Sequence, residues 1–542
     1  MNNSDTQSRP RRTADVVAEV LYRHGVRHAF GMPGGEVVTL LDGLQRAGIA
    51  FHLARHETAA ALMAAGASLL TGMPEVLLTT LGPGLANAVN GIADAAQERV
   101  PLIVLSGVID ADQRGRYTHQ VIDHAAMLRP LVKASFEIGA AHAAETVSAA
   151  VALALSEPMG PVHLDLSPAV AANLSRTPMG PLHRPAAPPA PAADALAALH
   201  RRLEQATRPL ILAGFEAARQ GAGPAILELA ERIGAPVVTT YKGKGLIPED
   251  HPLALGAAGL SPKADALLLP LFGAADLVLA IGYDPIEMRV GWRDMAPPET
   301  LVDITALPDD HGMHRAGLRI GASPLAVIPG LAARASLRKG WQGSQPQATR
   351  ERLRRAFAPP AGWSPASIVD TLQKAVLPED IVTVDSGAHR ILLSQQWISG
   401  TPLTLLQSAG FCTMAAALPL AIGAAVAGRH GRLHAVMGDG GLEMGIGELA
   451  TLRDLGLPVT VVVFQDRSLA LIAMKQASAA LPAAGVALGE TDFARVAEGF
   501  GGHGTTVETI DDFRNALQAA RRRQGFSLVA CRFDASLYEG SF

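Results

Sequence analysis

The chain has 542 residues, 49% of them apolar and 18% charged, with a net charge of −4. That balance excludes a disordered chain and a broad basic field for nucleic acid, and the length implies about three domains. Two cysteines, Cys412 and Cys531, are too few for a disulfide framework or zinc site, and no apolar stretch is fit to span a bilayer, so a cytoplasmic protein is expected.

The polar tail with Arg9, Arg11 and Arg12 reads as a frayed, solvated terminus, since no apolar signal core follows it. Phe30-Gly-Met-Pro-Gly-Gly35 is a strand-to-helix turn. Phe51-His-Leu-Ala-Arg-His-Glu57 places an acid ahead of the Ala-rich helix Thr58–Leu70, where a carboxyl ordinarily only favours the helix start. The runs Val76–Thr80, Leu102–Leu105, Pro209–Leu212, Leu277–Ile281, Ile381–Val384 and Val459–Phe464 are apolar throughout rather than alternating. Parallel strands covered by helices on both faces have that character, so the class is α/β, doubly wound. Two linkers stand out: proline-rich Arg176–Ala193, and Arg338–Pro365, polar and then proline-rich. They divide the chain into domains at 1–175, 190–340 and 362–542. No short-period repeat is visible. Ala415–Gly428 is a run of small residues around Pro419.

Gly438-Asp-Gly-Gly441 carries the most information. It follows the apolar run Leu433–Met437 and precedes a helical stretch, Ile446–Leu455; Val459–Phe464 and Gln465-Asp-Arg-Ser468 come next. This is one strand–helix–strand unit, whose two strands are expected to be parallel neighbours. Asp439 and Asp466 then stand just past adjacent C-terminal strand ends, about 5 Å apart, where both can reach one cation. The glycines let backbone N–H groups approach an anion, and oxygen ligands beside a diphosphate suit Mg²⁺.

In this context Gly438-Asp-Gly with Asp466 resembles the cofactor signature of the thiamine diphosphate (ThDP) enzymes. The resemblance implies three doubly wound domains: pyrimidine-binding, central and diphosphate-binding. It implies Mg²⁺ on Asp439, Asp466 and the carbonyl of Ser468, with Gly438, Gly440 and Gly441 at the diphosphate. The chain departs from the family at Gln465-Asp466, where Asn-Asn or Asp-Asn is usual, so the site gains a second carboxylate. Asp385-Ser-Gly-Ala-His389 is similar to the loop that touches the diphosphate through Gly387, Ala388 and His389; Ala388 replaces a Gln and removes one contact. Ser408-Ala-Gly-Phe-Cys-Thr-Met414 resembles the aminopyrimidine cradle. By that likeness the Cys412 carbonyl accepts from the 4′-amino group and Met414 is the wedge between the cofactor rings, although core packing is the ordinary fate of a methionine.

The N-terminal block resembles the pyrimidine domain. There a Glu after Arg-His bonds N1′ of the aminopyrimidine and promotes loss of the thiazolium C2 proton, a role that falls on Glu57. Gly34 lies beside the cofactor and Gly35 beside the substrate carbonyl; Leu81-Gly-Pro-Gly-Leu-Ala-Asn87 matches the next loop. Tyr117-Thr-His-Gln120, Asp123 and Arg129-Pro130 resemble the acetolactate synthase branch, which places Gln120 over the reacting centre; a plain polar loop residue is an equal reading. Thr239–Pro252 and Ala275–Glu287 are closest to the catabolic, flavin-independent members, so FAD is not expected. The implied activity is decarboxylating carboligation of a 2-oxoacid, pyruvate as donor, by a homodimer or homotetramer with active sites at subunit interfaces. A decarboxylase or aldehyde lyase for a bulkier substrate is the alternative, although the His-His pair of pyruvate decarboxylases is absent. A non-catalytic ThDP- or metabolite-binding relative is a further alternative. Leu469, Leu471, Ile472 and Met474, in the segment after the metal, line either the substrate pocket or a helix core. Neither nucleic acid nor membrane is an expected partner.

Overall fold

In a computed structural model of the chain, the described residues are 11–175, 179–337, 340–428 and 431–542. They form three six-stranded parallel sheets. The first contains β1 (His28–Met32), β2 (Ala50–Leu53), β3 (Glu75–Thr79), β4 (Leu102–Gly107), β5 (Ser135–Glu137) and β6 (Val162–Leu166), in the order β2-β1-β3-β4-β6-β5. The second contains β7 (Pro209–Ala213), β8 (Val237–Thr240), β9 (Ala254–Ala258), β10 (Leu277–Ile281), β11 (Leu301–Ile304) and β12 (Leu318–Ile320), ordered β9-β8-β7-β10-β11-β12. The third contains β13 (Ile381–Val384), β14 (Leu405–Gln407), β15 (Leu433–Gly438), β16 (Thr460–Gln465), β17 (His503–Val507) and β18 (Ser527–Arg532), ordered β14-β13-β15-β16-β18-β17. The central strands are buried along their length, as continuous apolar runs require. First and third sheets share one strand order. Each reverses direction after its second strand, which opens a crevice between its first and third strands.

The chain separates into two compact units. One gathers the described residues within 1–187, 419–429 and 447–455. In it the helices Glu57–Thr71 and Ala417–Val426 meet backbone to backbone: a methyl on Gly66 would lie 2.4 Å from the Leu420 carbonyl, and one on Gly423 1.9 Å from that of Met63. Close approach explains the small residues after Ala415. The other unit holds the second and third sheets. Its largest core cluster joins Trp292, Phe272 and Leu268 to Leu353, Phe357, Val384 and Phe464. Burial of each such side chain contributes about 1.5–3 kcal/mol.

Several expectations need correction. Arg11 and Arg12 are not frayed: they pair as a short strand with Leu174–Ser175, and Arg12 bridges Asp15 and Asp42. Arg9 lies outside the described residues. The segment 338–365 is not wholly a linker. It contains the helix Gln345–Ala356, fixed by Leu353 and Phe357 in the core and by Arg350 donating to the carbonyls of Ala254 and Asp250. The helix expected from Thr58 starts at Glu57, where the His56 ring accepts from the Thr58 N–H. The stretch after Asp439 is two helices, Asp439–Gly445 and Glu448–Leu455, so Asp439 opens a helix rather than lying in a loop.

Candidate active site

In the third sheet a cavity of about 240 Å³ occupies the crevice between β13 and β15. It is lined by Gly387, Ala388, His389, Cys412, Met414, Gly438, Asp439, Gly440, Gly441, Asp466 and Ser468, so the residues singled out in this half of the sequence converge on one place. β15 and β16 are parallel neighbours, with Gly438 opposite Phe464, and their ends deliver Asp439 and Asp466 side by side. Asp439 is 5% exposed. Its two oxygens accept from the N–H groups of Gly440 (2.8 Å) and Arg467 (2.6 Å), which ties the two strand-end loops together. Asp466 accepts from the Ser468 N–H at 2.8 Å.

Burial raises the Asp439 carboxyl above the usual carboxylate range. Burial and the neighbouring Asp439 charge push Asp466 up to about 7. Two desolvated carboxylates with no lysine or arginine ion-paired to either among the described residues are a donor set for a divalent cation, whose charge offsets both costs. On the other wall, the nine-residue helix Ala388–Gln396 begins at Gly387. His389 is fully buried and held neutral, its pKa lowered to about 3 by burial and by Arg390. The buried Nε2 of His389 and the Oγ of Ser386 have no partner among the described residues. A helix start beside that carboxylate pair, with the Ser386 hydroxyl free to donate, fits a diphosphate.

Asp385 is also buried, with its carboxyl pushed up to about 6, and accepts from the N–H groups of Ala415 and Ala416. A methyl on Gly441 would lie 2.0 Å from its Oδ2, so the helix Asp439–Gly445 packs against Asp385 through a glycine. Met414 reaches toward Gly440, its Cε 3.9 Å from the position of a methyl there, and lines the cavity. Leu469, Leu471 and Ile472 line it too, while Met474 packs against the core.

In the other unit, Glu57 is 5% exposed and accepts from Asn87 Nδ2 at 3.1 Å. One loop, Thr80–Gly84, touches every residue expected at this end except Gly35. A methyl on Gly34 would collide with Thr80 Oγ1, one on Gly84 would lie 3.3 Å from Glu57 Oε1, and one on Gly82 would lie 2.0 Å from the Gln120 carbonyl. Gly82 and Gln120 both have left-handed backbones, at φ 52° and 59°. Gln120 and Gly35 are exposed, Gly35 facing open space.

Sequence reasoning missed the groups behind these residues. Glu448, 2% exposed, accepts from the N–H groups of Arg55 (3.0 Å) and His56 (3.1 Å) and from Thr451, and so anchors the turn that delivers Glu57. Asp165 accepts from His124 Nδ1–H at 2.8 Å, while His124 Nε2 accepts from the Gly82 N–H, which steadies the loop against Gln120. No local motif marks these residues. Asn87 stood in a quoted segment, but its bond to Glu57 depends on helix packing. Among the described residues, His124–His163–Asp165 and Asp303–His311–His314 each gather within 4.8 Å. In the first the rings are committed to Gly82, Ser106, Ser135 and Asp165; in the second His314 Nε2 pairs with Asp303 and His311 Nδ1 accepts from the Met313 N–H, while the buried His314 Nδ1 has no partner among the described residues.

Models of the thiamine pyrophosphate enzymes match three segments: the N-terminal TPP binding domain at residues 11–127, the central domain at 196–331 and the C-terminal TPP binding domain at 385–531. An acetolactate synthase of Bacillus subtilis (strain 168) is 31% identical over 539 residues, covering 97% of this chain and 94% of that protein. The catabolic acetolactate synthase of Raoultella terrigena is 29% identical, with 96% and 95% covered. A probable 2-ketoarginine decarboxylase, AruI, of Pseudomonas aeruginosa is 28% identical, with 95% and 93% covered. With three family models in chain order and likeness along nearly its whole length, this chain belongs to the thiamine pyrophosphate enzymes, in their acetolactate synthase-like branch.

Proposed function

We propose that this enzyme is a 2-oxoacid decarboxylating carboligase that takes pyruvate as donor and forms acetolactate when pyruvate is also the acceptor. The observation that carries this reading is the end-to-end likeness to acetolactate synthases, one of them catabolic. ThDP, when bound, would supply a nucleophilic carbon within its cationic thiazolium ring, which no side chain provides. The chain's own residues do the rest. Asp439 and Asp466, with the Ser468 carbonyl, hold Mg²⁺. Gly387, His389 and the glycines Gly438, Gly440 and Gly441 receive the diphosphate, and Ala388 contributes only its backbone. The Cys412 carbonyl and Met414 orient the aminopyrimidine. Glu57, buried and steadied by Asn87, would bond the pyrimidine ring nitrogen and exchange a proton with it. Gly34 packs beside the cofactor, with Gly35 and Gln120 at the substrate. From the family resemblance we take the enzyme as a homodimer or homotetramer in which Glu57 of one copy and Asp439 of another serve one cofactor. We place the enzyme in the cytoplasm, without FAD.

A second reading, simple decarboxylation of a bulkier 2-oxoacid, is favoured by the likeness to the 2-ketoarginine decarboxylase. Incubation with ThDP, Mg²⁺ and a panel of 2-oxoacids, pyruvate and a guanidino 2-oxoacid among them, separates the two. Acetolactate from pyruvate supports the first reading; aldehyde alone, from the larger substrate, supports the second. Tight cofactor binding without turnover of any 2-oxoacid contradicts both and leaves a regulatory relative.

A further inference from the structure

Arg390 occupies the first turn of the helix that opens at Gly387, and it is 6% exposed. A guanidinium is costly to bury without partners. No carboxylate forms an ion pair with it among the described residues. Its bonds go instead to the cradle loop. Nη1 donates to the Ser408 carbonyl and Nη2 to Cys412 Sγ at 3.2 Å, while the Cys412 thiol donates to the Ala409 carbonyl at 3.2 Å. The side chain thus braces both arms of the turn 408–412. Its Nε is buried and bonds nothing among the described residues.

The brace acts where the backbone is unfavourable. Cys412 has φ 59° and Ala415 φ 63°, the left-handed region that residues with a Cβ avoid. A strained bend persists only when its surroundings hold it. Here Asp385 holds the far side through the N–H groups of Ala415 and Ala416, and Arg390 holds the near side.

We propose that Arg390 is a positioning residue of the cofactor pocket, a clasp that keeps the strained Cys412–Ala415 bend in the shape that presents the Cys412 carbonyl and the Met414 side chain. The inference rests on the cofactor reading above. Its consequence is thermodynamic coupling: the clasp matters because residue 412 has a Cβ, and glycine there relieves the need for it.

The test measures ThDP affinity by calorimetry on the full-length chain with saturating Mg²⁺, beside thermal melts without cofactor. Arg390→Met removes both donors at similar volume. Its ThDP Kd is expected to rise about 10- to 100-fold, as loss of bonds from a charged donor implies, with an unchanged cofactor-free melting temperature. Arg390→Lys, which keeps the charge but not the fork, falls between, and supplies the measurement if the Met variant does not fold. In a Cys412→Gly background the Arg390→Met exchange is expected to cost less than about threefold. An unchanged Kd in R390M overturns the clasp. So does a lowered melting temperature with normal affinity, or an equal loss in both backgrounds. Failure of the wild-type protein to bind ThDP would instead sink the cofactor reading itself.

Discussion

The second carboxylate at the proposed cation site has a measurable consequence. In the cation-free protein, burial and the charge of Asp439 hold the Asp466 proton up to about 7. A divalent cation must displace that proton. At pH 6 about one molecule in ten has Asp466 ionised and at pH 8 about nine in ten, so apparent affinity is expected to rise about tenfold across that window, or about 1.4 kcal/mol. Stability moves oppositely. A carboxyl whose pKa is raised on folding stabilises below the unfolded value of about 3.9 and loses that contribution as pH rises toward 7. The cation-free protein therefore weakens toward neutral pH, while the gain in Tm on adding Mg²⁺ and ThDP grows. Asp466→Asn keeps the shape and one oxygen donor but does not titrate. Calorimetric titration of both proteins at pH 6, 7 and 8 compares the profiles, and their ratio cancels ionisation of the cofactor. Wild type is expected to gain about tenfold more than D466N. Parallel profiles would refute the shared-cation geometry.

Glu57→Gln is expected to keep the wild-type Tm and lower kcat by at least about 100-fold, and wild-type turnover would remove the catalytic assignment. Glu448→Ala leaves the Arg55 and His56 N–H groups without their buried acceptor; a loss of about 1–3 kcal/mol in urea melts, with lowered kcat at saturating ThDP, is expected, and an unchanged kcat speaks against a positioning role. Gly441→Ala forces a methyl against Asp385, and a loss of about 1–3 kcal/mol is expected; equal thermal stability would show that the loop yields freely. Burial disfavours the Asp380 carboxylate, but His434, Arg521 and the N–H groups of Leu377 and Arg432 outweigh it and hold the pKa well below normal. A lowered pKa stabilises above the unfolded value and the contribution fades as pH falls, so the loss of about 3–5 kcal/mol expected for Asp380→Asn at pH 7 is expected to shrink below about pH 4, by denaturant melts at both values.

The strands were legible because a strand buried on both faces must be apolar throughout: Leu277–Ile281 and Ile381–Val384 coincide with β10 and β13. The meeting of Asp439 and Asp466 was legible because strand–helix–strand spacing alone makes them neighbours. Helix Gln345–Ala356 was hidden because its buried anchors, Leu353 and Phe357, are diluted among arginines and flanked by prolines. Glu448 and Arg390 were hidden for another reason. Their partners, Arg55 and His56 for one, Ser408 and Cys412 for the other, come from separate segments, and no local pattern encodes such a meeting. Gln120 was named from likeness alone; it stands in an exposed loop with its carbonyl against Gly82.

The first and third sheets wind identically, and this places their loops in correspondence: Gly34 follows β1 as Gly387 follows β13, and Thr80 follows β3 as Asp439 follows β15. One architecture thus offers the same ledge twice, furnished once with a hydroxyl and glycines and once with carboxylates. Innovation in such a protein need not touch the sheets. Exchanging a handful of residues on either ledge alters what it grips, while the scaffold beneath, insulated by its apolar strands, carries the change without refolding.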